Sequence, residues 1–270
     1  RSHECDFPAG VERLPAVSTA RIDGDRLDAA AIHAEVARAV AGGEQLYGID
    51  AGTLADLAPD LVITQTLCRV CAVEGDGVRS ALRARALEAD VVELEPEGVD
   101  GVLASILALG DLLDAAGEAR AVVDDARVRL AAVADAVAGR TRPGVVVLEW
   151  TDPPYAAGHW VPELAEIAGG RELLGRPGAP SFRTTWEDVR ALAPEVVVVA
   201  PCGYDLGRAR AEAVSARVTG ALAGTPALRD GRLWAIDANA YLSRPGPRIV
   251  EGAELLGAIL HPGGVEMPAG

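Results

Sequence analysis

Thr53-Leu54-Ala55-Asp56-Leu57-Ala58-Pro59-Asp60 runs into the apolar stretch Leu61-Val62-Ile63-Thr64. The same phrase returns as Trp186-Glu187-Asp188-Val189-Arg190-Ala191-Leu192-Ala193-Pro194-Glu195, which runs into Val196-Val197-Val198-Val199. Each copy reads as a helix, a Leu-Ala-Pro-acid stop, a short buried strand and then a cysteine loop. Proline lacks a backbone donor and disfavours helical backbone in the residue before it, so both helices must end there. A short apolar run bounded by such a stop suits a strand buried on both faces of a parallel sheet. The repeat implies duplicated α/β halves with equivalent cysteine loops facing each other.

Working outward from the two copies, the flanking segments keep the same rhythm. Helices are expected over 28–40, 51–57 and 77–87, with extended runs at 46–49, 61–64 and 91–94. Strand and helix in alternation predict a parallel sheet. The rhythm then stops. A helix over 99–113 is followed by an unbroken helical pattern over 118–138, with Val122, Ala126, Leu130, Val133 and Val137 on one side. At 1.5 Å per residue that helix is roughly 30 Å long. Gly139 and Pro143 end it. Strands at 145–148, 196–200 and 233–236 and helices at 161–167, 184–192, 208–222 and 248–260 resume the alternation, with Trp186 and Trp234 read as core. The expected fold is α/β, with two Rossmann-like lobes of parallel sheet joined by one long spine helix. The lobes take residues 1–116 and 140–270, and the spine 117–139.

The chain has 270 residues, half of them apolar, which is enough for one large or two ordinary domains. Its formal charge of −15 argues against a nucleic-acid partner and against adsorption to anionic lipid, both of which need a basic face. No uninterrupted apolar run reaches the ~18 residues that a membrane span requires. No Gly-x-Ser-x-Gly elbow and no Walker-type phosphate loop occurs, so hydrolase chemistry on those plans is not expected. The start at Arg1-Ser2-His3 carries no Met and no signal peptide, and is expected to lack residues upstream.

Ligands of open α/β sheets bind outside the carboxyl ends of the strands, and this chain gathers its unusual residues there. All four cysteines, Cys5, Cys68, Cys71 and Cys202, fall in loops expected at one rim. They allow three readings: ligands to zinc or an iron–sulfur cluster together with His159, a disulfide bracing the loop at Cys68 and Cys71, or small buried hydrophobes. His159 sits among prolines, a glycine and aromatics, where an imidazole could coordinate cobalt, iron or zinc. Trp150, Tyr155, Trp160, Tyr204 and Tyr241 follow strands or flank the cysteine loops, and their flat faces suit a large planar ligand. Arg244 and Arg248 flank a double-proline turn, from which Arg244 could pair a ligand carboxylate or amide.

The repeated phrase, the long helix and the closing Tyr241-Leu242-Ser243-Arg244-Pro245-Gly246-Pro247-Arg248 together resemble the substrate-binding proteins of ABC importers. The resemblance is to the helical-spine class that carries vitamin B12, haem and ferric siderophores, and it covers nearly the whole chain. Cys5-Asp6-Phe7-Pro8 resembles the loop after the second strand in the cobalamin-binding branch. A first strand and helix precede that point in the family and are missing here. The cysteines also depart from the family, whose members hold B12 between aromatic side chains. The resemblance implies a monomeric, non-enzymatic carrier of a corrinoid. Its ligand sits between the lobes against Cys5, Cys68, Cys71, Trp150, Tyr155, His159, Trp160, Cys202, Tyr204, Tyr241 and Arg244, and no further cofactor is required. It also implies docking on an ABC permease through one acid on each lobe, Glu74 and Glu212. The expected location is periplasmic or lipid-anchored where a signal stands upstream, and cytoplasmic otherwise. The rival from another class is a cysteine-rich metalloprotein that clamps zinc, an iron–sulfur cluster or a haem or iron chelate between its lobes.

Overall fold

Packing divides the chain between Glu95 and Pro96. The computed structural model describes residues 1–67, 73 and 75–268, so Cys68, Cys71 and Glu74 lie outside the described residues. The boundary does not fall at the expected 116/117, and both long helices that follow it belong to the second unit.

In the first unit, strand β1 (Ser18–Ala20) leads to helix α1 (Ala29–Ala41), whose N-cap Asp28 accepts the Ala31 N–H at 2.8 Å. Strand β2 (Tyr47–Ile49) pairs with β1 in antiparallel register, Ser18 opposite Ile49. This corrects the all-parallel expectation. The 46–49 run pairs back with a strand on the far side of α1, and β1 is too short and too polar to announce itself in the sequence. Helix α2 (Ala51–Leu57) begins at Asp50, whose carboxylate accepts the Gly52 and Thr53 N–H groups, which pull its pKa below the ordinary value. Strand β3 (Leu61–Gln65), helix α3 (Gly75–Ala84) and strand β4 (Asp90–Leu94) follow, and β3 lies parallel to β4 from Leu61↔Asp90 to Gln65↔Leu94. Helix α3 lays Val78 and Leu82 onto Leu54 of α2, with Val62 and Val91 beneath.

The second unit opens with α4 (Val99–Leu112) and α5 (Ala116–Val137). The 22 residues of α5 make it about 33 Å long. Its buried stripe is Ala119, Val123, Ala126, Leu130, Val133 and Val137. The expected Val122 is instead 39% exposed, because the spacing of the stripe selects Val123. A Cβ at Gly110 would overlap Ala119, so the glycine lets α4 approach α5 closely.

Strand β5 (Gly144–Thr151) turns back through β6 (Pro154–Ala156), and α6 (Val161–Ile167), β7 (Arg171–Glu172), β8 (Phe182–Arg183) and α7 (Trp186–Ala191) follow. Strand β9 (Val196–Val199) leads to α8 (Leu206–Ala213), α9 (Ala216–Ala221), α10 (Pro226–Arg229), β10 (Leu233–Ala235), α11 (Ala238–Tyr241) and α12 (Ile249–Leu260). The sheet runs β10-β9-β5-β6-β8, with β7 alongside the start of β5. Strands β10, β9, β5 and β7 are parallel, while β6 and β8 are antiparallel additions. Val145–Leu148 and Val196–Val199 are buried throughout. Val146 and Leu148 pack with Val189, Val218, Leu222 and Ala227 on one face.

Two expectations fail here for local reasons. The single helix over 208–222 is two, because Ser215 caps α9 by accepting the Val218 N–H. Trp234 is 41% exposed on the edge strand β10 rather than in the core. The two copies of the opening phrase agree in a detail that sequence does not reveal. Ala58 and Ala193, each just before its proline, both adopt left-handed backbone, at φ 41° and 47°.

Candidate functional site

Strands β5, β9 and β10 all end at one edge of the second unit's sheet, and the expected rim residues of that unit gather there. Trp150 and Tyr155 are cross-strand partners on the β5–β6 hairpin. A register shift between Leu148 and Trp150 frees the Glu149 carbonyl to accept the Cys202 N–H at 3.1 Å, which joins this hairpin to the loop after β9. Trp150 and Tyr204 meet edge to face with ring centroids 5.5 Å apart. The Arg208 guanidinium lies 3.7 Å from the Tyr204 ring centroid, on its other contact, and donates to the phenol oxygen at 3.1 Å. Arg208 escaped notice in the sequence. Its signal was its place four residues after Tyr204, in the first turn of a helix capped by Asp205.

The turn between β5 and β6 is held from beneath. Arg217 donates to the Thr151 carbonyl at 2.6 Å and pairs with Asp152 at 3.4 Å. Glu212 accepts from the Thr151 hydroxyl and from Arg217, with its side chain only 13% exposed. The carboxylate expected at a docking surface is thus engaged in fixing the hairpin.

His159 lies in the loop that joins β6 to α6. Its backbone is left-handed at φ 55°, and the 173–181 segment clamps it on both sides: His159 N–H donates to Ala179 at 2.7 Å and Gly178 N–H to His159 at 2.9 Å. Burial pushes the imidazole below its ordinary pKa, against a smaller upward pull from the Glu97 carboxylate. Nδ1 is sealed from solvent and has no hydrogen-bond partner. Beside it, Trp160 is buried, and its indole N–H donates to the Leu242 carbonyl at 2.8 Å. That bond ties the loop to α11, at whose end Tyr241 stands half-buried, and Arg244 and Arg248 lie half-buried in the turn leading to α12.

The cysteines divide. Cys202, half-buried, accepts from the Ser243 hydroxyl at 3.5 Å, and the next N–H, of Gly203, donates to Asn239 at 3.1 Å. Cys5 is half-buried in the first unit, in a turn closed by its own N–H to Ser2. With Cys68 and Cys71 outside the described residues, the four-thiol site has no geometry to examine. Among the described residues no group of three or more His, Cys, Asp or Glu is arranged to hold a metal. Nor is any described helix long and apolar enough to cross a membrane.

No curated protein matches the sequence. Several solved structures share the fold. A periplasmic haem-binding protein from Pseudomonas aeruginosa is 22% identical with a TM-score of 0.71, over 99% of this chain and 86% of that one. The vitamin B12-binding protein BtuF of Vibrio cholerae is 21% identical with a TM-score of 0.57, over 78% of each chain. An Fe3+-hydroxamate transport protein from Saccharomonospora viridis is 24% identical with a TM-score of 0.59, over 78% of this chain and 72% of that one. Residues 15–240 match the family described as Periplasmic binding protein. With most of its length matched and its fold shared, the chain belongs to the periplasmic binding protein family, a family of binding proteins and not of enzymes.

Proposed function

We propose that this chain is the substrate-binding protein of an ABC importer and that its cargo is a metal-bearing tetrapyrrole, a corrinoid or a haem. The observation that carries the reading is the aromatic edge of the second unit, where half-buried Trp150, backed by Tyr204 at 5.5 Å, pairs across strands with half-buried Tyr155. Flat apolar faces at the carboxyl ends of parallel strands suit a planar macrocycle. His159 stands on the next loop with its pKa lowered by burial. The imidazole is therefore neutral at physiological pH, the form that coordinates a metal. Tyr241 and Arg244 complete the contacts we assign, the arginine toward a ligand carboxylate or amide. Trp160 and Tyr204 are nearly buried at 4% and 3% exposure, so they back the wall more than they face a ligand. The solved structures of the same fold include haem-, B12- and iron-chelate-binding proteins, which supports this class of cargo.

In this reading α5 is the spine helix, the protein acts outside the cytoplasm, and an ABC permease is its partner. Of the two docking acids, Glu212 is tied to Thr151 and Arg217 and Glu74 lies outside the described residues, so their role rests on the resemblance alone. The metalloprotein alternative would need the cysteines as resident ligands. Titration with hemin, cyanocobalamin, cobinamide and a ferric hydroxamate decides among the cargoes, read by absorbance and heat. Saturable one- or two-equivalent binding of a tetrapyrrole is expected, with a changed visible spectrum in His159→Ala. Binding of the hydroxamate alone, or of none of the four, overturns the proposal. Bound zinc or an iron–sulfur band in anaerobically purified protein would favour the alternative.

A further inference from the structure

Strand β5 changes partners part-way along one edge. Its Val145 carbonyl is taken by the Leu173 N–H at 2.9 Å, just past β7, and its Val147 carbonyl by the Ala157 N–H at 3.0 Å, just past β6. In the gap between these two partners sits the carboxyl of Glu172. Its Oε1 accepts the Leu174 and Gly175 N–H groups, each at 3.0 Å. The Val147 N–H, at the gap itself, and the Leu173 N–H also favour its ionised form. Its Oε2 is sealed from solvent without a partner. One side chain thus closes the opening that the sheet leaves, and in doing so starts the segment 173–181.

That segment goes on to grip the His159 loop. Gly175 crosses so near the loop that a Cβ there would stand 2.6 Å from the Ala157 carbonyl oxygen and 2.8 Å from Pro162. A Cβ at Gly158 would overlap the backbone of Pro180 and Ser181. Gly178 and Ala179 supply the two hydrogen bonds that fix the His159 backbone in its left-handed conformation. Such backbone in a residue other than glycine persists only where the surroundings enforce it. The chain of dependence therefore runs from the carboxyl, through the segment, to the imidazole.

We propose that Glu172 is the positioning residue of the His159 loop: set into the gap where β5 changes partners, it anchors the 173–181 segment that holds His159 in place. The importance of His159 to a ligand rests on the function proposed above. The positioning itself does not, and the test separates the two. In ligand-free protein, hydrogen exchange at the His159 and Gly178 amides and the NMR titration of the His159 ring are compared among wild type, Glu172→Gln and Glu172→Ala. The glutamine keeps an acceptor for Leu174 and Gly175, so wild-type protection is expected. The alanine removes it. Exchange at both amides should then rise by roughly tenfold or more, the magnitude of one lost hydrogen bond that leaves buried donors unpaired, while Val197 and Val198 in the sheet centre keep their protection. The ring pKa should move up toward the ordinary histidine value as the loop opens. Unchanged amides and ring in a folded alanine variant overturn the proposal, as does an equal loss in glutamine and alanine. Should the alanine variant not fold, Glu172→Asp carries the test, because the shorter side chain draws the carboxyl out of the gap. It should loosen the same two amides, and wild-type protection there refutes the role. A separate titration of each variant with hemin and cobinamide reads the functional proposal. Failure of every ligand in wild type overturns that proposal and leaves the amide result standing.

Discussion

Replacing Trp160 by Phe separates wall from ligand contact at the proposed site. The indole is 4% exposed, and its N–H donates at 2.8 Å to the carbonyl of Leu242, itself 2% exposed. Phenylalanine removes the donor and strands a buried carbonyl, at about 1–3 kcal/mol. The missing pyrrole portion leaves a small void that adds about 1 kcal/mol. The sum is roughly 2–4 kcal/mol, and in a chain of this size each kcal/mol lowers the melting midpoint by about 2–4 °C. Scanning calorimetry should therefore show a drop of roughly 4–16 °C. Because the indole face is covered, the affinity of the folded variant for the proposed tetrapyrrole should stay within roughly threefold of wild type, as for a side chain behind a binding surface and not on it. A variant with wild-type stability but an affinity reduced by more than about tenfold would show that the ring is an anchor in its own right, and would refute the reasoning.

Arg129 on α5 is gripped by Glu254 of α12 at two distances of 2.8 Å, with Glu251 at 3.5 Å and Asp125 at 3.8 Å beyond it, and the carboxylates raise its pKa. Arg129→Met should cost about 2 kcal/mol in urea unfolding, between the values for exposed and buried pairs, and a double variant with Glu254→Leu should recover part of it. Burial raises the Glu172 carboxyl from 4.5 to about 7. The fold therefore holds a proton there that the unfolded chain releases, and its stabilisation is full below the unfolded value and lost as pH rises to about 7. Glu172→Gln should flatten that part of the stability–pH curve, by on the order of 3 kcal/mol at most, and an unchanged slope would place the titration elsewhere. Ala58→Gly and Ala193→Gly should each raise stability by about 0.5–1 kcal/mol, since glycine relieves left-handed strain by more than it adds freedom to the unfolded chain. A loss in either variant would show that the methyl group packs to advantage.

Much of the architecture was legible because it is written locally. Proline stops and short apolar runs name their own elements, and the strand expected at 196–200 became β9, Val196–Val199. What stayed hidden depends on partners distant in sequence. The pairing of β2 with β1, the β5–β6 hairpin and the exposure of Trp234 are consequences of which strand lies at an edge, and no single segment encodes that. The choice of Val123 over Val122 follows from the phase of a stripe that two adjacent valines leave ambiguous. At the site, Trp150 and Tyr204 could be placed together because one stands at the end of β5 and the other follows β9, its neighbour in the sheet. Glu172 could not, because a carboxyl that completes a backbone ladder is indistinguishable in sequence from one on the surface.

The His159 loop is pressed so tightly between Gly158 and the backbone of Pro180 and Ser181 that no side chain fits there. Its path is consequently closed to insertion and to gradual drift. Two side chains beside that path are less enclosed, since Tyr155 on β6 and His159 in the loop are both half-buried. Selection for a new cargo can act on those two side chains while the backbone around them keeps its path. A rigid mould bearing replaceable fittings is therefore a source of evolvability, and it lets a lineage change what it carries without relearning how to fold.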